Sequence, residues 1–307
     1  MINSHVLTII LPPDYSQDLN TVIQSFTDHL SRMKIADYTV QILSEECAAD
    51  IFFTDQQLDT NHSVVSTLKG ICQHQTGFDW FIQKNENRRK KMLIADMDST
   101  MITIECIDEL ADFAGLKDQV SAITERAMQG GLDFEDSLRE RVALLKGLDA
   151  EILQKCYETR LTYTKGANRL LATMGKNGAV TALVSGGFTF FTQRVADTLG
   201  FETHRANELE IIDGKLTGKI IPPISDSQTK IDTLHSLAEQ HGFDMSEILA
   251  VGDGANDIPM IKGAGIGTAY KAKEKARQAA DFTIDYTDLS ALLYIQGYSD
   301  KDIINHL

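Results

Sequence analysis

A chain of 307 residues is long enough for one large domain or two ordinary ones. It is 43% apolar and 24% charged, as soluble globular proteins are, and its net charge of −15 excludes a general nucleic-acid binder, which needs basic surface to displace counterions. No stretch reaches the ~18 apolar residues of a membrane span, the N-terminal apolar run is too short for a signal peptide, and four cysteines without C-x-x-C spacing read as reduced thiols of a cytoplasmic protein.

In chain order, "HVLTIIL" (5–11) is β-branched and predicts a strand. Leu19, Val22, Ile23, Phe26 and Leu30 recur at helical spacing over 16–33, with Ser16 as the expected N-cap. "YTVQIL" (38–43) and "ADIFFT" (49–54) predict strands, 61–75 a helix, and "FDWFIQ" (78–83) a strand. The order β-α-β-β-α-β over residues 1–84 predicts a ferredoxin-like α+β unit. "KNENRRKK" (84–91) is polar and basic with no apolar face, so 85–91 is expected to be a linker.

From residue 92 to 307 a second pattern holds. "MLIAD" opens it, helical patterns run from about 105 to 160, and "AVTALVSGG" (179–187), "EILAVGDGAND" (247–257) and "GAGIGTA" (263–269) follow. Each is a short apolar run closed by Gly, Ser or Asp, with helical sequence between. Such alternation predicts an α/β, Rossmann-like parallel sheet covered on both faces, with its ligand beyond the carboxyl ends of the strands. "LEIIDGKLTGKII" (209–221) predicts a hairpin turning at Asp213-Gly214. The alternating charges of "KAKEKARQAADFTI" (271–284) predict a solvated face with no role beyond the fold.

Two aspartates one residue apart, Asp96 and Asp98, stand where the first strand of this sheet stops. Carboxylates crowded at strand ends repel one another unless something positive sits among them. Asp96 and Asp253 would reach one crevice from two strand ends, and an all-oxygen ligand set suits Mg2+. A carboxylate beside such an ion suits phosphoryl transfer to that carboxylate. A lone D-x-D more often caps a helix. Here "DMDST", "VSGG", Lys230 and "GDGANDIPM" occur in order in one domain, each of the three strings closing a strand.

That set resembles the haloacid-dehalogenase superfamily of phosphatases, and within it the branch acting on O-phosphoserine. The likeness runs from about Lys91 to the C-terminus and includes "QGGLDFEDSLRERV" and "LAVGDGANDIPM". The resemblance implies a Mg2+-dependent hydrolase releasing L-serine and phosphate as the last step of serine biosynthesis. Asp96 would be the nucleophile that becomes aspartyl-phosphate. Asp98 would be the acid and base, its backbone carbonyl joining Asp96 and Asp253 on the metal. Ser185 and the Gly186 N–H would hold phosphate oxygens, Lys230 would neutralise the transferring group, and Asn256 and Asp257 would orient Lys230 and the metal waters.

Substrate choice would fall to a small helical cap at about 105–165. Phosphoserine asks for one acid and one guanidinium. The resemblance assigns Glu105 to the ammonium, Arg141 to the carboxylate, and Met128 and Phe134 to an apolar lid. The same core would serve another small monoester, such as phosphothreonine or a sugar phosphate.

A dinucleotide-binding oxidoreductase is disfavoured, because "GDGAND" carries Asp257 where the fingerprint needs its third glycine. The N-terminal unit is similar to ACT regulatory domains, yet its "PPDYSQ" loop lacks the glycine common at their effector sites. Homodimerisation is the role left to it.

Overall fold

Residues 4–128 and 132–305 are described by the structure, a computed structural model. The N-terminal elements are β1 (His5–Ile10), α1 (Leu19–Arg32), β2 (Tyr38–Ser44), β3 (Ala48–Phe53), α2 (Val64–Gln73) and β4 (Asp79–Lys84). The strands form an antiparallel sheet in the order β2-β3-β1-β4. Strand residues alternate between faces. Leu7, Ile9, Ile51 and Phe53 therefore meet Val22, Phe26 and Leu30 of α1 and Leu68 of α2 on one side. The cap of α1 is Asp18 rather than the expected Ser16: its carboxylate accepts from Thr21 N at 2.8 Å, and a carboxylate at Ncap engages the free amides of the first turn.

The second group begins with β5 (Met92–Ala95), then α3 (Cys106–Phe113), α4 (Lys117–Met128), α5 (Phe134–Ala143), α6 (Glu151–Arg160), α7 (Ala167–Lys176), β6 (Val180–Phe188), α8 (Thr189–Leu199), β7 (Thr203–Ile212) and β8 (Lys215–Ile221). It ends with α9 (Ser227–His241), β9 (Ile248–Gly252), α10 (Ile258–Gly263), β10 (Ile266–Tyr270), α11 (Glu274–Ala279), β11 (Phe282–Ile284) and α12 (Ala291–Tyr294). The seven-stranded sheet runs β11-β10-β9-β5-β6-β7-β8, parallel except for the β7–β8 hairpin, whose turn residues Asp213 and Gly214 both have positive φ. Met92 and Ile94 pack toward Leu234 and Met260, whereas Leu93 and Ala95 pack toward Leu171 and Phe191, so both faces of β5 are buried. Helices α3 to α6 leave the sheet after β5 and return through paired segments, with Thr103 N bonded to Thr162 O and Thr164 N to Met101 O.

The 85–91 stretch is not a free linker. Arg88 reaches back to the buried Asp50, Nη1 to Oδ2 at 2.7 Å, and Lys90 is itself buried, donating to the carbonyls of Asn87 and Ser246. Composition alone misses this because each cation finds its partner far away in sequence. The second face of the N-terminal sheet also carries Ile10, Ala48 and Phe81 into the core of the larger unit. Asp79 extends the junction by accepting from the backbone of Asp285 and Thr287 at 2.9 Å each.

Arg88→Met should therefore strand a buried carboxylate and cost about 3 kcal/mol or more. The unfolding midpoint should fall by roughly 5–10 °C. Adding Asp50→Asn should restore part of the loss. Thermal unfolding of the single and double variants checks this, and an unchanged midpoint in Arg88→Met would mean that the pair contributes nothing.

Candidate active site

Three neighbouring strands end together. Asp96 follows β5, and on either side of that central strand Asp253 follows β9 and Ser185 lies toward the carboxyl end of β6. Asp96 N donates to Val251 O, fixing the Asp96 backbone against β9. Beyond it Asp98 is extended and Ser99 is left-handed, with φ 55°. This kink lets Ile102 N return to Met97 O, so the loop folds over the strand ends.

Lys230 enters from the first turn of α9, fully buried, and its ammonium bridges Asp96 Oδ1 at 2.7 Å and Asp257 Oδ1 at 2.5 Å. Burial opposes the ammonium, but Asp257 and Asp96 outweigh it and hold the lysine protonated. Asp257 is saturated: its Oδ2 accepts from the backbone N–H groups of Asp253 and Gly254. Its other oxygen, Oδ1, accepts from the Lys230 ammonium. Burial, followed by the charge of Asp257, pushes the Asp96 carboxyl well up, against the pull of Lys230.

Asp96, Asp253 and Asp257 each present an oxygen within 4.8 Å of the others. Asp253 is pushed up to about 6 by burial, then by Asp257 and Glu105. When all three are ionised, the Lys230 ammonium offsets one of these charges and leaves two unmatched. Asp257 is engaged by Lys230 and two amides, which leaves Asp96 and Asp253 with spare lone pairs. This hard-oxygen pair fits a divalent cation.

Asp98 Oδ2 accepts from Cys106 N at 3.2 Å, while Oδ1 is buried without a partner. Burial, then the Glu105 carboxylate, push Asp98 up to about 7. A carboxyl so placed is poised to carry a proton at neutral pH. Ser185 Oγ accepts from Gly187 N at 2.8 Å, so its own proton is free for a phosphate oxygen. A Cβ on Gly187 would come within 3.2 Å of Asp98 Oδ2, so glycine there keeps the space between acid and serine open.

The cap closes the other side. Glu105, Phe134 and Arg141 line a cavity of about 540 Å3 together with Asp96, Asp98, Ser185, Gly186, Asp253 and Asn256, within the usual range for small-ligand sites. Arg141 spends only Nε, on Ser137 O, so no bond within the described residues holds the far edge of its guanidinium. The Phe134 ring edge would touch a Cβ on Gly186 at 3.0 Å, so α5 meets the Ser185–Gly187 segment directly. Met128 closes α4, and its side chain lies outside the described residues.

Sequence reasoning passed over four residues. Thr100 Oγ1 donates to Asp253 Oδ1 at 3.2 Å. Asn207, fully buried in β7, bonds the Gly186 and Ser225 carbonyls through Nδ2 and accepts Ser225 N, tying β6 to the loop before α9. No local signal marks Asn207 or Ser225. Lys273 lines the cavity and bears on Asp253, so the charged stretch from 271 is more than a solvated face. Its N–H also donates to Asp253 O, a contact fixed by the β9–β10 pairing rather than by local pattern.

Five acids and two cations line this cavity, with the buried Lys230 beneath Asp96. The chain belongs to the haloacid dehalogenase-like hydrolases, whose family model matches residues 93–262. Among its curated relatives is phosphoserine phosphatase of Archaeoglobus fulgidus, 45% identical over 67% of this chain and 60% of that protein, so less than two thirds of that relative's length is matched. Among solved structures, a haloacid-dehalogenase family hydrolase of Salmonella enterica serovar Typhi superposes with a TM-score of 0.83 at 31% identity, covering 97% of this chain and 99% of that one. A phospho-aspartyl intermediate analogue of phosphoserine phosphatase superposes at 0.63 with 40% identity, covering 67% of this chain and 98% of that one.

Proposed function

We propose that this chain hydrolyses O-phospho-L-serine to L-serine and phosphate, the last step of serine biosynthesis, with Mg2+ as its metal. One observation carries the reading: beside Asp133, whose carboxylate caps α5, the cap brings the Glu105 carboxylate and the Arg141 guanidinium to the lining of the cavity that holds Asp96 and Asp98. These are the two charges that a seryl ammonium and carboxylate require. The two phosphoserine phosphatases among the relatives named above support the same substrate.

The chemistry follows from the side chains. Asp96 attacks phosphorus while Asp98 gives its proton to the departing seryl oxygen, so the P–O bond to serine breaks as aspartyl-phosphate forms. Asp98 then takes a proton from water, and the attack of that water on phosphorus frees Asp96 and releases phosphate. Ser185 and the Gly186 N–H hold phosphate oxygens throughout, and Lys230 offsets their charge. Asp96, Asp253 and the Asp98 backbone carbonyl would hold the Mg2+, with Asn256 beside its waters. When bound, the ion neutralises charge on the transferring phosphoryl group.

Residues 1–84 form an ACT-like unit, 92–307 the phosphatase domain, and about 105–165 its cap. Homodimerisation through the N-terminal unit is supported by β2, an edge strand that leaves Val40 exposed. Four unpaired thiols, three of them buried, support a cytoplasmic home.

The deciding test compares kcat/KM for phosphoserine, phosphothreonine and a sugar phosphate. Phosphoserine should lead. Equal use of all three would leave a phosphatase of a different small monoester.

Arg141 sharpens the test. Loss of one buried charge partner costs ~2–5 kcal/mol, so Arg141→Ala should lower kcat/KM for phosphoserine by roughly 30-fold to several thousand-fold. Arg141→Lys should recover only part, since an ammonium cannot reproduce the planar fork. Phosphoethanolamine lacks the carboxylate, so its slow hydrolysis should barely change. Equal harm to both substrates would move Arg141 from carboxylate recognition to support of the cap.

A further inference from the structure

The Ser99 hydroxyl donates to Glu105 Oε1 at 2.6 Å, across a loop that leaves the core and enters the cap. Ser99 does not line the cavity; Glu105 does. The serine stands behind the acid. It holds a left-handed backbone at φ 55° and ψ 3°, a conformation that is unfavourable for residues other than glycine. That conformation also brings Ser99 N within 3.2 Å of Ile104 O, closing residues 99–104 into a compact turn.

Glu105 is otherwise loosely held. It is exposed, and although it stands at the N-cap of α3, its side chain caps no amide. An exposed glutamate samples many rotamers and gives up that freedom when it binds an ammonium. A hydrogen bond on Oε1 removes part of that cost in advance and leaves Oε2 for the ligand. Threonine or another branched residue would strain the left-handed turn, and glycine would fit the turn without the hydroxyl.

We infer that Ser99 is a positioning residue for substrate choice: its hydroxyl presets the Glu105 carboxylate to receive the substrate ammonium. The inference rests on the phosphoserine reading above. It also gives the short Asp98–Glu105 connection a task, because one turn then sets both the catalytic acid and the ammonium contact.

Ser99→Gly tests it without adding backbone strain. Two substrates are compared, phosphoserine and phosphoglycolate, the second keeping phosphate and carboxylate but no ammonium. For phosphoserine, KM should rise about five- to tenfold, the scale of one hydrogen bond, with kcat within about twofold. For phosphoglycolate both constants should hold. In a Glu105→Ala background, Ser99→Gly should add nothing, because the group it positions is gone. An unchanged KM for phosphoserine, an equal loss on both substrates, or a full effect persisting without Glu105 would each overturn the inference; the last two would make Ser99 a support of the Asp98 loop. If the unaltered protein fails to hydrolyse phosphoserine, the substrate reading itself falls before any variant is compared, and the inference falls with it.

Discussion

Asp96→Asn should abolish phosphoserine turnover, by roughly 10^4-fold or more, in a protein that remains folded. An amide oxygen cannot displace the seryl oxygen, because the acyl-phosphate it would form requires a carboxylate. The surroundings tolerate the change. Asparagine keeps an oxygen for Met97 N, which donates to Asp96 Oδ1 at 2.8 Å, and Lys230 retains Asp257 as its ion partner. Burial and Asp257 already disfavour a charge at Asp96, so its removal should leave the unfolding midpoint unchanged or slightly higher. Fluoroberyllate, which mimics aspartyl-phosphate, should inhibit the unaltered enzyme and fail to bind the variant. Wild-type turnover by pure, folded Asp96→Asn protein would rule out covalent catalysis at this residue.

The centre was legible in the sequence because its parts lie at strand ends. A parallel sheet converts "D-x-D after one apolar run" and "G-D-G after another" into neighbours, and the β9–β5–β6 order places Asp253, Asp96 and Ser185 side by side. Lys230 was legible only through its place in the ordered family pattern, since a lysine on an otherwise amphipathic helix carries no local mark of burial. Asn207 and Lys273 were not legible at all. Each reaches the site through pairing between segments distant in sequence, Asn207 across to Gly186 and Ser225, and Lys273 to Asp253. The basic 85–91 stretch failed for the same reason: a run of cations reads as solvated until Asp50 and the Ser246 carbonyl are seen to face it. Period and turn chemistry recovered the order of elements in the N-terminal unit, whereas the face its sheet buries against the larger unit depends on the docking of the two.

Removal of the metal should be as severe as loss of the nucleophile. Exhaustive chelation should cut turnover by roughly 10^4-fold, and Mg2+ should restore it. Ca2+ should restore little, because it accepts more ligands at longer distances than the pair Asp96 and Asp253 would hold in an octahedral site. The requirement should also depend on pH, and the direction follows from the cluster. Asp253 is raised to about 6 by burial, then Asp257 and Glu105, so below that pH it binds a proton that the ion must displace. Cation binding favours the charged carboxylate and releases this proton. The Mg2+ concentration for half-maximal activity should thus rise as pH falls, by up to about tenfold per pH unit below about 6 from Asp253 alone, with the raised Asp96 carboxyl adding in the same direction. Asp253→Asn should weaken Mg2+ binding in its own right and make the low-pH limb shallower, since one of the two titrating ligands is gone and Asp96, itself raised, remains; Mg2+ titrations of both proteins from pH 5 to 8, followed by phosphate release and by calorimetry, separate binding from turnover. A requirement that grows with rising pH, or full activity after chelation, would remove the Asp96/Asp253 pair as the metal site.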